Sequence, residues 1–149
     1  MQRPIIIDPE IASLCPPLTV DERAGLEASV LAEGCRDPLV VWDTATERIL
    51  LDGHNRLEIC QRHGKEYTVR PMQFDDRLGA MIWVLQNQRS RRNLTDDQRA
   101  MLADRERELL VRQSMRDRVA NIRKATPTTS VSHNACDTGG SKPRRDTRA

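Results

Sequence analysis

The apolar positions change period along the chain, and each change marks an element. Pro4 to Ile7 is a short apolar run that reads as a strand. Pro16-Pro17 then breaks the chain. Thr19-Val20-Asp21-Glu22 has the Thr-x-x-Glu form of a capping box, and it predicts a helix to about Glu33 with Leu26 and Val30 on one face. Gly34 is its natural stop. Pro38 to Trp42 and Arg48 to Leu51 are dense in β-formers, and with the turn Asp43 to Glu47 between them they predict a hairpin. After Gly53, residues 54–63 read as a helix with Leu57, Ile59 and Cys60 apolar, stopped by Gly64. Tyr67 to Phe74 predicts a third strong strand. Asp75-Asp76 can cap and charge the next helix, which runs to about Gln88 through Met81, Ile82, Val84 and Leu85. Asn93-Leu94 interrupts the pattern. A second capping box, Thr95-Asp96-Asp97-Gln98, then opens a helix to about Lys124, carrying Met101, Leu102, Leu109, Leu110, Val111, Met115, Val119 and Ile122. From Ala125 to Ala149 the chain is rich in Thr, Ser, Gly, Pro and Arg without apolar period, and reads as a disordered tail. No internal repeat is visible.

Composition narrows the picture. Charged residues reach 31% and mean hydropathy is −0.64, which is wet, but 38% apolar content still allows a core. The aromatics Trp42, Tyr67, Phe74 and Trp83 all fall in the middle of the chain, which places that core there. No apolar run approaches the roughly 18–20 residues of a membrane span. No apolar stretch with a cleavage site follows Met1, so the expected location is cytoplasmic. Cys15, Cys35, Cys60 and Cys136 are far apart, and His54, His63 and His133 do not complete a zinc set, so four reduced thiols and no metal centre are expected. Charge is split. Residues 1–85 hold 9 Lys/Arg against 14 Asp/Glu, whereas residues 86–149 hold 15 against 8. A basic half can meet nucleic acid or can be a solvated helix face, and composition leaves both readings open.

Candidate chemistry concentrates in Ile49-Leu-Leu-Asp-Gly-His-Asn-Arg-Leu-Glu-Ile-Cys60. Here an apolar strand runs through one glycine directly into a helix. Such a junction exposes backbone N–H groups that can bind phosphate, and glycine lets a ligand approach closely. Arg56 sits in the first helical turn, where the helix dipole disfavours a cation. An anionic ligand would account for that placement. A plain strand–helix turn with an exposed arginine accounts for it more simply.

Three motifs add to this. Gly34-Cys-Arg-Asp-Pro38-Leu-Val-Val, Leu51-Asp-Gly-His-Asn-Arg-Leu-Glu58 and Asn87-Gln-Arg-Ser-Arg-Arg-Asn-Leu-Thr95 resemble, in order and spacing, the ParB-like N-terminal domain of the ParB/sulfiredoxin fold over about residues 4–105. The group it looks most like comprises plasmid replication- and partition-related proteins of plasmids, phages and other mobile elements. The resemblance implies an α+β fold: a small mixed sheet with short helices in a domain over 1–93, a long helical arm over 94–124, and a disordered basic tail over 125–149. It further implies CTP or another nucleoside triphosphate with Mg2+ as ligand. Gly53, His54, Asn55 and Arg56 would then hold the phosphates, Gly34 to Pro38 would line the base and ribose side, and Asn87, Gln88, Arg91 and Arg92 would supply polar groups near the phosphates. The family's Gly-Glu-Arg-Arg is Gly-His-Asn-Arg here, and its later Glu-Asn is Asn87-Gln88, departures that weigh against hydrolysis.

The resemblance therefore implies a DNA-associated binding module rather than an enzyme, with weak NTPase or nuclease activity as the enzymatic alternatives. Sulfiredoxin chemistry needs a thiolate directly after the glycine, where this chain has His54. A metal-dependent nuclease would draw on Asp52 and His54, or on Asp75-Asp76, which also read as a helix cap. A third alternative is a degenerate domain that serves only as an interaction module. DNA contact would run through Arg89, Arg91 and Arg92 and the basic helix end at Arg123 and Lys124. At about 45 Å the arm is too long to pack wholly on a small domain. Its apolar stripe then has another chain or domain as partner, a homodimer being one arrangement.

Overall fold

The computed structural model describes residues 3–91 and 93–125. Arg92, Cys136, His133 and all of the expected tail except Ala125 lie outside the described residues.

The hairpin forms as the β-former runs predict. Strand β2 (Leu39–Asp43) pairs antiparallel with β3 (Arg48–Asp52), with an irregularity in register between Val40 and Val41. Its turn is held by the Thr44 hydroxyl, which accepts from Glu47 N at 2.9 Å. Strand β1 (Ile5–Ile6) adds in parallel beside β3, and β4 (Val69–Met72) adds in parallel beside β2. The result is a four-stranded mixed sheet in the order β1-β3-β2-β4. β4 is shorter than the expected run from Tyr67 to Phe74 because β2 offers partners only from Leu39 to Trp42. Pro71 lies inside this edge strand.

Both faces of the sheet are covered, which is why β2 and β3 read as continuous apolar runs rather than alternating ones. Leu39, Val41 and Leu50 pack under Leu57 of helix α3 (His54–His63). Val40, Ile49 and Leu51 face the opposite way, against α4 (Arg77–Arg89). Trp42, Phe74 and Trp83 extend that core, Phe74 meeting Trp42 edge-on at 6.4 Å between ring centres. Tyr67, the fourth aromatic residue, packs beside Leu39 and Val41 instead.

Helix α2 (Val20–Glu33) begins at the predicted capping box: Thr19 Oγ1 accepts from Glu22 N at 3.2 Å, and Glu22 accepts from Thr19 N at 2.9 Å. It packs on α3 through Val30, Ile59 and Cys60, and the contact is flanked by Arg23–Glu58 at 2.6 Å and His63–Glu27 at 2.6 Å. A four-residue helix α1 (Pro9–Ala12) was not expected. Asp8 creates it by accepting from Glu10 N and Ile11 N, and Arg77 of α4 clasps the Asp8 carboxylate. Helix α5 (Asp96–Ala125) starts at the second capping box, where Thr95 and Gln98 exchange bonds. Leu102 and Leu109 enter the core beneath α4, whereas Val111, Met115 and Val119 are exposed.

Candidate anion-binding cleft

The end of β3, the start of α3, the end of α4 and the α4–α5 connection converge on one cleft of about 580 Å³. That volume is ordinary for a small-molecule site. Its floor is the glycine between strand and helix. Gly53 sits at φ +97°, in the left-handed region. A Cβ there would fall 2.6 Å from Leu39 Cδ2 and 3.1 Å from Arg56 Nη2, so only glycine fits without displacement. As the N-terminal residue flanking α3, Gly53 offers no side-chain cap. The first N–H groups of the helix are therefore left for solvent or a ligand.

Asp52, the last residue of β3, is only 9% exposed. Its Oδ2 accepts from Arg56 Nη2 at 3.2 Å. Its Oδ1 accepts from Gln88 Nε2 at 3.2 Å and also from Arg91. Arg56 reaches outward as well, with Nη1 3.4 Å from the carboxylate of Asp37 at the rim. Gln88 is 1% exposed, and its Oε1 has no partner among the described residues. An unpaired buried carbonyl oxygen is costly, and it marks a place for a donor from water or a ligand.

His54 stands beside this network. Burial pushes its imidazole below the ordinary histidine value, and Arg91 adds to the shift while Asp52 opposes it. Its Nδ1 lies 3.9 Å from Cys15 Sγ, and its buried Nε2 has no partner among the described residues. Burial also raises the Cys15 thiol to about 11, with Asp52 adding to the rise, so Cys15 is a protonated neighbour and not a nucleophile.

The fold thus brings Gly53, His54, Asn55, Arg56, Gln88 and Arg91 to one cleft, with the apolar side chains of Pro16, Pro17 and Leu94 along its wall. The Asn55 amide oxygen faces α2, 3.4 Å from Arg23 Nη1. Gly34 and Pro38, expected on the base and ribose side, are not among the lining residues; of the segment between them only Asp37 lines the cleft. Gly34 instead ends α2 at φ +79°, its N–H donating to Val30 O. Arg89 turns away from the cleft and pairs with the buried Glu106 of α5. Asp76 caps α4 by accepting from Gly79 N at 2.8 Å and pairs with Arg116, so it serves the helix start. Arg123 and Lys124 lie exposed at the far end of α5. Among the described residues no group of three or more His, Cys, Asp or Glu is placed to hold a metal ion.

Sequence reasoning missed Cys15, Leu94 and Gln98 as lining residues. It also took Asp52 only as a metal ligand, whereas the carboxylate faces three donors.

No protein-family model and no curated protein matches the chain. Solved structures do. A Pnob8-like ParB-N domain superposes with a TM-score of 0.67 at 22% identity, over 78% of this chain and 46% of that one. The chain has the ParB-N fold. It spans somewhat less than half the length of that structure. A C-terminally truncated chromosome-partitioning protein ParB from Caulobacter crescentus, complexed with CTP-gamma-S, superposes with a TM-score of 0.49 at 21% identity, over 60% of this chain and 51% of that one. The ParB-N assignment rests on the first of these. Within the ParB-N fold, the strand–glycine–helix turn and the long C-terminal helix stand as the sequence predicts, and no described helix is long and apolar enough to cross a membrane.

Proposed function

We propose that this chain is a ParB-like, DNA-associated accessory module of a plasmid, phage or other mobile element, and that its cleft binds the phosphates of a nucleotide. One observation carries the reading: Gly53 opens the N-terminus of α3 onto a cleft that two arginines, Arg56 and Arg91, enter from different elements. Helix N–H groups and guanidinium forks are the donors that phosphate oxygens need. The unpaired Gln88 Oε1 offers an acceptor to the same ligand, and Pro16, Pro17 and Leu94 offer an apolar wall to a base. These residues fit CTP or another nucleoside triphosphate with Mg2+, and the role is binding rather than turnover. The exposed arm of α5 is the surface for DNA, and for a second copy of the chain.

Titration with CTP, ATP and GTP, each with and without magnesium, tests the reading. One of them should bind, and Arg56→Ala should weaken that binding by about tenfold or more, since a charge-assisted contact contributes roughly 1.5–3 kcal/mol. Circular dichroism should show the variant folded. Absence of binding by all three nucleotides, or an Arg56→Ala chain that no longer folds, removes the proposal.

A further inference from the structure

The groups a phosphate would use are already engaged. Asp52 holds Arg56, Gln88 and Arg91 at once, and Asp37 at the rim holds the other terminal nitrogen of Arg56. The two carboxylates differ in setting: the Asp52 side chain is 13% exposed and that of Asp37 is 82% exposed. With Glu22 also on the lining, the described lining carries three carboxylates and two guanidinium groups and is acidic by one charge when His54 is neutral. A carboxylate that receives forked guanidinium donors offers them the same chemistry as a phosphate.

We infer that Asp52 is an internal anion, occupying the arginine pair so that a phosphate ligand binds by exchange with it. This rests on the cleft being a phosphate site and names the residue that sets its selectivity. An anion carrying one phosphate replaces one carboxylate contact by another and gains little. A polyphosphate presents several oxygens together. It can take both arginines while also reaching the N–H groups of α3, and it displaces Asp52 where a smaller anion does not. Asp37 acts in the same sense on Arg56 from the rim.

The test uses the full chain without divalent cations and two inorganic probes, orthophosphate and tripolyphosphate, titrated by calorimetry at fixed low salt. Wild type should bind tripolyphosphate and show much weaker affinity for orthophosphate. Asp52→Asn should bind tripolyphosphate about tenfold tighter or more, since it removes a competing charge at contact distance. Asp37→Asn should tighten binding by a smaller factor. Asp37 is exposed, so this variant keeps its fold and decides the matter even where Asp52→Asn unfolds. A folded Asp52→Asn that binds no tighter than wild type overturns the inference and makes Asp52 a positioning residue for the arginines. So does an unchanged Asp37→Asn when Asp52→Asn does not fold, or a wild type that binds both anions equally. If neither wild type nor either variant binds tripolyphosphate, the phosphate reading of the cleft and this inference fall together.

Discussion

A methyl group on residue 53 would lie 2.6 Å from Leu39 Cδ2, on a backbone already at φ +97°. Gly53→Ala should therefore cost about 1–3 kcal/mol in a denaturant unfolding experiment, and it should weaken phosphate binding because the start of α3 must shift. The next residue predicts a pH dependence. The folded state holds the His54 imidazole below its ordinary value, chiefly by burial. Below about pH 6.5 the unfolded chain then binds more protons than the folded one, so stability falls as pH drops from that point toward the folded value. His54→Asn should flatten this part of the stability–pH curve, read by urea unfolding at several pH values. Gly53 to Arg56 were legible in the sequence because strand, turn and helix are contiguous there. Gln88 and Arg91 came only from a family resemblance. Asp37 likewise came only from that resemblance, and Cys15 was not legible as a site residue, because it reaches the cleft through tertiary packing of a segment distant in the chain.

Helix α5 shows what periodicity can and cannot say about an element. Its apolar spacing runs on through Val111, Met115 and Val119 without a change of period. Yet only Leu102, Glu106 and Leu109 are buried. The reason is the face the others occupy: Val111 is two residues on from Leu109, about 200° round the helix, while Arg116, further along, still reaches Asp76 at the start of α4. Glu106 accepts from Gln86 Nε2 at 3.0 Å and pairs with Arg89 at one end of α4, and Arg116 pairs with Asp76 at the other. Leu109→Ala should cost about 2–5 kcal/mol, as deletion of core methyl groups does. Val111→Ala, two residues on, should change stability by less than about 0.5 kcal/mol. Thermal unfolding of the two variants side by side checks the contrast. At the other end of the chain, α1 is not legible in the sequence because four residues cannot display a helical period, and its cause is one capping aspartate.

Across the whole molecule, the basic half of the sequence is less available than its charge count implies. Arg89 is committed to Glu106 and Arg91 to Asp52. Arg118, Arg123 and Lys124 are exposed on the outer part of α5, without an ion pair among the described residues. DNA contact should therefore move outward along the arm. Binding should be weak and nearly blind to sequence, about 10⁻⁴–10⁻⁶ M near physiological salt, and it should fall steeply as salt rises. Replacing Arg118, Arg123 and Lys124 together with Ala should reduce the salt slope by up to about three phosphate contacts while leaving stability unchanged. Arg89→Ala should do the reverse, lowering stability by exposing the buried Glu106 charge with little effect on the slope. Gel shifts across a salt series, paired with unfolding curves, separate the two.

The order β1-β3-β2-β4 leaves two outer strands, and neither is a good template for another chain. β1 is two residues long, which is too short to seat a foreign strand. β4 carries Pro71 in its middle, which removes a donor from the ladder, and Arg70 beside it adds charge. A newly made chain that has closed its hairpin but not yet docked α5 thus exposes apolar faces without exposing a sticky border. Crowded copies should then meet through side chains, reversibly, rather than zip into extended β-structure. On prolonged heating, aggregates of this protein should stay poor in amyloid-dye binding, and Pro71→Val should raise that signal.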